Sequence, residues 1–329
     1  MSGGAPAAAL RVEAPGRLHL GFIDLGGALG RRFGSLGVTL DEPQTVIEAA
    51  CADRDSLEGP EAERAGAARD AARAALGIAD RCAIAVRQAL PAHAGFGSGT
   101  QMDLAVGAAV ARLAGRPLPA RALADLMGRG RRSAIGTEAF AGGGVILDGG
   151  RRPDREASPP LLARLPFPDA WRVILMLDRD RHGLSGAEET RAMAQLPPFP
   201  QQLAAHLSHL VLLKALPALA EADADAFGAA IGEWQERLGD HYAAAQSGAR
   251  YLSPDVAQAA HFLRGEGVAG VGQSSWGPTG FAVVGDGPQA ERLVEALRRR
   301  FASFTNLSFL CVRGRNQGAA FRSIGAAVP

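Results

Sequence analysis

The chain has 329 residues and a net charge of +1, with 47 % hydrophobic and 21 % charged residues. This balance is typical of a folded globular protein that is long enough for two compact domains. A nearly neutral chain with 5 % aromatic residues gives no support for nucleic-acid binding, which depends on a basic surface.

The basic residues are almost all arginine, since the chain has 34 arginines and a single lysine, Lys214. A Schiff base or a lysine-containing phosphate loop would have to use Lys214, which lies among leucines in a helical pattern rather than in a glycine loop. We therefore expect anions to be bound by arginine side chains and backbone amides.

The three cysteines, Cys51, Cys82 and Cys311, are widely separated, so the sequence suggests neither a zinc site nor a disulfide framework. No apolar run approaches the roughly 18 residues of a membrane span. Residues 1–10 lack the basic start and the continuous apolar stretch of a signal peptide. We expect a cytoplasmic protein that binds no membrane, and a monomer and a homodimer both remain open.

The first half of the sequence mixes short strands and helices in chain order. Apolar alternation predicts strands at Leu10–Glu13, Arg17–Phe22, Gly37–Leu40, Thr45–Ala50, Cys82–Arg87 and Val145–Leu147. Helical spacing predicts helices at Pro60–Leu76, Thr100–Ala114 and Pro119–Arg129. Residues Arg151–Pro168 are rich in Arg, Pro and Asp, which is typical of a linker between domains.

The second half contains more helices. Strands are predicted at Trp171–Leu177, Gly267–Val271, Thr279–Val284 and Leu307–Val312. Helices are predicted at Gly186–Gln195, with Ser185 as a possible N-cap, and at Pro200–Leu216, Asp223–Leu238, Pro254–Gly265 and Pro288–Phe301. Because strands and helices alternate unevenly, we favour an α+β fold over a doubly wound sheet.

The glycine-rich loop Pro91–Gly99 leads directly into a predicted helix. Such a loop presents unpaired backbone amides and the positive end of the helix dipole, which together form an anion site suited to phosphate. The hydroxyl groups of Ser98 and Thr100 add donors or magnesium ligands. A tight turn capped by a hydroxyl group is the structural alternative.

Three other segments combine charged or aromatic residues with glycine. Arg17 and His19 share one face of a strand, with Asp24 further on, and this face is either an anion site or simply solvated. Arg129–Arg132 is either an anion site or a basic helix end stabilised by the helix dipole. The loop around Trp276 either lines a site, where the indole would stack on an aromatic ligand, or is a hairpin with a structural tryptophan.

Three of these segments, in their order along the chain, resemble the motifs of the GHMP-kinase superfamily. They are Pro15-Gly16-Arg17, Gly95-Phe96-Gly97-Ser98 after Pro91, and Gly270-Val271-Gly272-Gln273-Ser274. The resemblance implies a two-domain α+β fold, with a ribosomal-protein-S5-like domain in residues 1–165 and a ferredoxin-like domain in residues 166–329. It also implies an active site between the two domains.

Two features differ from the mevalonate-type kinases of this superfamily. Their glycine loop usually continues Ser-Ser-Ala, where this chain has Ser98-Gly99-Thr100, and their catalytic aspartate corresponds to Gly136. Loss of such a base typically lowers the rate by about 10²–10⁴. Some kinases of the superfamily work without this aspartate, so an ATP-dependent GHMP small-molecule kinase remains the alternative function.

Three longer segments, Gly16–Leu25, Arg132–Phe140 and Gln273–Thr279, are similar to the β-ribofuranosylaminobenzene 5′-phosphate synthases. This resemblance implies a reaction that joins phosphoribosyl pyrophosphate to 4-hydroxybenzoate or 4-aminobenzoate and releases pyrophosphate and CO₂. The family works in the biosynthesis of methanopterin-type one-carbon carriers. Small molecules are thus the expected partners, with Mg²⁺ as the expected cofactor and no organic cofactor.

The resemblance also assigns roles to residues of the motifs. Catalytic or anion contacts are expected from Arg17, His19, Asp24 and Arg132. The phosphate site is assigned to Gly95, Gly97, Ser98, Gly99, Thr100 and Gln101, with Ser98 and Thr100 also as metal ligands. The aromatic substrate is assigned to Ser274, Ser275, Trp276 and Thr279.

Overall fold

Two β-sheets organise the part of the chain that the computed structural model describes, residues 9–155, 157–184 and 186–325. The predicted N-cap Ser185 lies outside these described residues. The strands are β1 (Ala9–Asp24), β2 (Phe33–Cys51), β3 (Ser56–Glu58), β4 (Cys82–Gln88), β5 (Val145–Asp148), β6 (Leu161–Leu165), β7 (Arg172–Asp178), β8 (Gly270–Gln273), β9 (Gly280–Val284), β10 (Leu307–Val312) and β11 (Ala320–Ser323).

The helices cover these sheets and pack between them. They are α1 (Ala62–Leu76), α2 (Ser98–Leu113), α3 (Ala120–Leu126), α4 (Ile135–Gly142), α5 (Gly186–Gln195), α6 (Gln201–Leu210), α7 (Leu216–Ala220), α8 (Ala224–Tyr242), α9 (Pro254–Gly265) and α10 (Gly287–Arg300). A π-helical turn, Val211–Ala215, joins α6 to α7, and a 3₁₀ turn, Ala243–Ala245, follows α8. The helices α8, α9 and α10 begin at the capping residues Asp223, Ser253 and Asp286, each of which accepts a hydrogen bond from the amide three residues on.

The larger sheet has the order β11-β1-β2-β4-β3, and β5 and β6 extend it from β2. The strand β1 is continuous, although the sequence predicts two strands around Ala14-Pro15-Gly16. A register shift between Pro15 and Arg17 absorbs this segment, so the pairing with β2 continues through a bulge. A second shift between His19 and Gly21 turns the strand again.

The connection between the two halves is more ordered than a linker. Within the predicted linker, β6 pairs antiparallel with β5, and α4, which the sequence analysis does not predict, precedes β5. At the other end of the chain, β11 pairs with β1 of the first sheet. The predicted domain boundary after residue 165 therefore separates the two sheets. The exception is β11, which follows the second sheet in the chain but belongs to the first.

The smaller sheet has the order β10-β7-β9-β8, and every pairing in it is antiparallel. One face packs on α9 and α10, around Val256, Leu263 and Leu297. Its other face joins a core that includes Trp234 of α8 and Leu18 of β1. The two halves of the chain therefore share one apolar core, which fixes the elements that meet at the site described below.

One helix of the described part, the continuous run Gln201–Ala220, is long and apolar enough by length and composition to span a membrane. The sequence pattern predicts no membrane span. Leu207 and Val211 of this run are buried in the shared core. Because core helices of soluble proteins pass the same test, this helix is weak evidence for a membrane span.

Candidate active site

A cavity of about 560 Å³ lies where the glycine loop, β1, residues 128–133, the start of α5 and the loop after β8 meet. Among the described residues that line it are five arginines, two histidines and a single carboxylate, that of Glu189. The five arginines are Arg17, Arg64, Arg129, Arg131 and Arg132. Such an excess of positive charge in a concave site favours an anionic ligand.

The glycine loop forms one wall of this cavity. Gly97, at φ 76°, is the N-cap residue of α2, and no side chain caps the helix, so the first-turn amides are free to bind an anion. Gly95, Gly97, Ser98, Gly99 and Thr100 line the cavity. This placement agrees with the predicted phosphate loop.

Gln101 is the one predicted loop residue that does not line the cavity. Its side chain is buried and donates a 2.8 Å hydrogen bond from Nε2 to the carbonyl of Gly136. It therefore connects α2 to α4 rather than contacting a ligand.

Arg17 lies against the glycine loop. Its Nη1 donates to the carbonyl of Gly95 at 2.5 Å, and its amide donates to the carbonyl of Phe96 at 3.1 Å. A Cβ atom on Gly97 would lie 3.1 Å from Arg17 Cζ, so only glycine fits comfortably beneath the guanidinium. Burial lowers the pKa of Arg17 to about 10, and the group stays charged at neutral pH.

His19 lies two residues further along β1, and the pairing with β2 is regular from Arg17 to His19. The two side chains therefore share a face, as the sequence predicts. The imidazole of His19 packs edge-to-face on Phe22, with ring centroids 4.5 Å apart. Burial, together with the charges of Arg17 and Arg132, lowers its pKa to about 3, so the ring is neutral at physiological pH.

The loop after β8 forms another wall of the cavity and contacts the glycine loop through Ser274. Ser275 and Trp276 line it, and the indole of Trp276 stacks on Tyr242, with ring centroids 4.6 Å apart. Ser274 and Thr279 are fully buried behind this wall and do not line the cavity. Two of the four residues assigned to the aromatic substrate are therefore placed to touch a ligand.

The basic segment before α4 is held by a buried carboxylate. Asp148 accepts hydrogen bonds from the hydroxyl of Ser133 at 3.1 Å and from the amide of Ala134 at 2.9 Å. These bonds fix the position of the adjacent Arg132, whose Nη1 is 2.5 Å from Oε1 of Glu189 on α5. Arg132 thus joins the basic segment to α5 across the cavity.

The position of Asp24 does not support its predicted catalytic role. It does not line the cavity, and its Oδ1 accepts hydrogen bonds from the amides of Gly26 at 2.7 Å and Gly27 at 3.0 Å. The bulge after His19 ends the alternation that would have placed Asp24 on the same face. Its carboxylate stabilises the turn between β1 and β2.

Several residues that line the cavity have no site role predicted from the sequence, among them Arg64 and Glu189. Arg64 lies near the start of α1 and places its guanidinium over Gly99, where an added Cβ would collide with it. No local pattern distinguishes Arg64 from the other arginines of this alanine-rich helix. The contact arises only from the packing of α1 against α2.

Comparison with known proteins identifies the family. The model of the GHMP kinase N-terminal domain matches residues 63–144, and that of the GHMP kinase C-terminal domain matches residues 215–303. A β-ribofuranosylphenol 5′-phosphate synthase of Archaeoglobus fulgidus is 35 % identical, over 89 % of this chain and 93 % of the relative. One of Methanothermobacter thermautotrophicus is 33 % identical, over 85 % and 90 %. The chain belongs to this synthase family.

Solved structures support the fold of this synthase. A homoserine kinase from Cytophaga hutchinsonii superposes with a TM-score of 0.68 at 16 % identity, covering 98 % of this chain and all of that one. A mevalonate diphosphate decarboxylase from Staphylococcus aureus gives 0.65 at 17 %, with coverage of 96 % and 98 %. The expected GHMP-kinase-like α+β fold is thereby confirmed.

The glycine that replaces the kinase aspartate lies close to the phosphate loop. Gly136 is buried in the first turn of α4, and a Cβ atom there would lie 3.1 Å from Cγ2 of Thr100. Gly136 itself does not line the cavity, and the close packing beside Thr100 leaves little room for a carboxylate at this position. The absence of the aspartate is a difference in sequence from the mevalonate-type kinases.

Proposed function

We propose that this protein transfers the ribosyl 5-phosphate group of phosphoribosyl pyrophosphate to 4-hydroxybenzoate, with release of pyrophosphate and CO₂. The observation that carries the proposal is one cavity in which five arginines and a glycine loop adjoin an aromatic wall. The hydroxy acid is favoured over 4-aminobenzoate because the relatives are named for a phenol product.

The anionic end of phosphoribosyl pyrophosphate fits the glycine loop. The amides at the start of α2 and the guanidinium groups of Arg17 and Arg64 converge there. Donors held in place before the reaction stabilise the negative charge that develops on the departing pyrophosphate. Arg129 and Arg132, in the basic segment before α4, also line the cavity and are assigned to the 5-phosphate.

The aromatic acid fits the end of the cavity formed by His19, Phe22 and Trp276. Phe22 and Trp276 offer flat apolar surfaces that would hold the benzoate ring against the ribose. The stack of Trp276 on Tyr242 fixes the indole from behind. The sequence motif around Trp276 thus has a role in shaping the site.

The reaction itself needs positioning and charge stabilisation. The bond between ribose C1 and pyrophosphate breaks, and the pyrophosphate keeps the electron pair. The ring carbon that bears the carboxylate attacks the resulting cation, and CO₂ then leaves so that the bonding pair restores aromaticity. Because CO₂ rather than a proton leaves this carbon, no base is needed at the position of Gly136.

We propose that Mg²⁺ enters together with the pyrophosphate group. No cluster of three His, Cys, Asp or Glu side chains that could hold a metal lies within the described ranges. Mg²⁺ commonly uses substrate phosphates and few protein ligands, which the hydroxyl groups of Ser98 and Thr100 on the cavity wall can supply. The bound ion would neutralise part of the charge of the leaving group.

The test is incubation of the protein with phosphoribosyl pyrophosphate, Mg²⁺ and carboxyl-labelled 4-hydroxybenzoate, and separately with labelled 4-aminobenzoate. We expect labelled CO₂ and one equivalent of pyrophosphate per turnover with the hydroxy acid. Release of CO₂ from neither acid would overturn the proposal. Metabolite-dependent formation of ADP from ATP would instead support the kinase alternative.

A further inference from the structure

His19 is buried at the cavity, and its ring nitrogens have no hydrogen-bond partner within the described residues. The side chain lines both the main cavity and an adjoining space of about 20 Å³, next to Gln235 and Tyr242. Neither Nδ1 nor Nε2 makes a hydrogen bond to any described residue. Burying an imidazole without a hydrogen-bond partner costs free energy, so this ring is suited to form a hydrogen bond with a group of the substrate.

The ring is also held in position. The amide of His19 donates to Oγ of Ser274 at 3.0 Å, and its carbonyl accepts from the amide of Ser275 at 3.0 Å. Phe22 supports the imidazole edge-to-face. An unpartnered polar side chain that is fixed by its backbone and by a neighbouring ring is preorganised for a directed contact.

The proposed reaction creates a need for such a contact. When the ring carbon of 4-hydroxybenzoate attacks the ribosyl cation, positive charge develops on the 4-hydroxyl oxygen, opposite the carboxylate. The hydroxyl proton becomes strongly acidic at that moment, and removing it stabilises the intermediate. The phenolate formed when CO₂ leaves then takes a proton back.

Few groups in the cavity can accept this proton. Among the described lining residues, the carboxylate of Glu189 is paired with Arg132, and His93 is exposed to solvent. The imidazole of His19 is buried beside Phe22, at the end of the cavity assigned to the aromatic ring. His19 is two residues from Arg17, about 7 Å along the strand. A benzoate ring can therefore lie between the glycine loop, which Arg17 contacts, and the imidazole of His19.

Resting on the proposed function, we propose that His19 is a catalytic base that accepts the proton of the 4-hydroxyl group as the carbon–carbon bond forms. It returns the same proton to the phenolate oxygen as CO₂ leaves, so no proton is gained or lost over the cycle. The neutral ring is ready to accept a proton before the reaction begins. Bound pyrophosphate and phosphate offset the charges of Arg17 and Arg132, which raises the basicity of the ring when substrate is present.

The experiment compares His19→Gln with the wild type on two substrates. These are 4-hydroxybenzoate and 3,5-difluoro-4-hydroxybenzoate, whose more acidic phenol is largely ionised before it binds. With 4-hydroxybenzoate, kcat should fall by about 10²–10⁴-fold, the usual contribution of general acid–base catalysis. With the fluorinated acid the loss should shrink by at least tenfold, because no proton then has to be removed.

His241→Gln is the matched control. This histidine also packs edge-to-face on a phenylalanine, Phe199, but it lies outside the main cavity. Its substitution should change kcat by less than twofold with either acid. The wild type should also show a larger solvent deuterium isotope effect on kcat with 4-hydroxybenzoate than with the fluorinated acid, a readout that depends on no variant.

Equal losses of kcat on both acids, or equal isotope effects in the wild type, would overturn the role of His19 and leave the proposed function intact. A wild-type protein that releases CO₂ from neither acid would overturn the proposed function, and this role with it. The two failures are therefore distinguishable.

Discussion

The hydroxyl group of Ser274 connects the glycine loop to the strand that carries His19. Its Oγ donates to the carbonyl of Gly95 at 2.8 Å and accepts from the amide of His19 at 3.0 Å. The same carbonyl of Gly95 also accepts from Nη1 of Arg17. Three segments that are far apart in the sequence are thus joined at one buried hydroxyl group.

Ser274→Ala should therefore disturb the site although Ser274 does not line the cavity. The substitution leaves the buried amide of His19 without a partner, which typically destabilises a protein by about 1–3 kcal/mol. We expect kcat to fall by about 10–10²-fold, because small displacements of reacting groups have effects of this size. Urea denaturation and steady-state kinetics measure the two effects.

Ser208→Ala is the control for this change. The hydroxyl of Ser208 donates to the carbonyl of Ala204 one turn earlier in the same helix, away from the cavity. Its loss should alter stability by less than about 0.5 kcal/mol and leave kcat unchanged. Equal effects of the two serine substitutions would contradict the linking role of Ser274.

Gly97→Ala should reduce activity more than it reduces stability. The residue has φ 76°, and an added methyl group would lie 3.1 Å from Arg17 Cζ, at the wall where the phosphate is proposed to bind. Gly115→Ala is the matched control, since Gly115 has φ 69° with no atom within 4 Å of an added Cβ. Both variants should lose about 1 kcal/mol of stability through backbone strain.

Only Gly97→Ala should raise the KM for phosphoribosyl pyrophosphate, by about tenfold or more, the equivalent of roughly 1.4 kcal/mol. Isothermal titration with phosphoribosyl pyrophosphate gives the same comparison without turnover. Near-normal binding by Gly97→Ala would indicate that the loop is a turn and nothing more.

Much of the fold follows from local sequence signals. The helices Gly186–Gln195 and Pro254–Gly265 and the strand Leu307–Val312 have the bounds that the sequence predicts. In α9, the proline in the first turn and the capping Ser253 give a clear start. Such signals lie within a few residues of the feature that they predict.

The remaining features depend on contacts between distant residues. Pro15-Gly16 looks like a turn, yet β1 continues through it because β2 supplies the pairing. The strand β11 is defined by its pairing with β1, about 300 residues earlier in the chain. In the same way, Arg64 enters the cavity only through the packing of α1 on α2, which no local pattern encodes.

Arg64→Met tests this residue, which the sequence does not single out. The charge of the guanidinium acts on the carboxylate of Asp103, but Arg64 makes no ion pair or hydrogen bond in the described part of the chain, so its removal should change stability little. A lost charge-assisted hydrogen bond to the pyrophosphate corresponds to about 1.5–3 kcal/mol, which raises the KM for phosphoribosyl pyrophosphate by about 10–100-fold.

The KM for 4-hydroxybenzoate should remain within about twofold in Arg64→Met. Arg299→Met, at an exposed position of α10, removes the same charge far from the cavity and should change neither constant. A similar rise of both KM values in Arg64→Met would place Arg64 at the aromatic end instead.

The buried His19 should also make stability depend on pH in a defined direction. Its pKa is about 3 in the folded protein, against an ordinary value of 6.5, so between these values the unfolded chain binds a proton that the folded protein does not. Stability should therefore fall as the pH decreases through this window. Between pH 7.5 and pH 5, the imidazole alone should account for about 2 kcal/mol of lost stability. Urea denaturation of wild type and His19→Gln at pH 7.5 and pH 5 measures this, since the variant lacks the proton-binding group and should lose about 2 kcal/mol less than the wild type over that interval. An equal loss in the two proteins would mean that the imidazole is solvated and protonated in the folded state, contrary to its position behind Phe22.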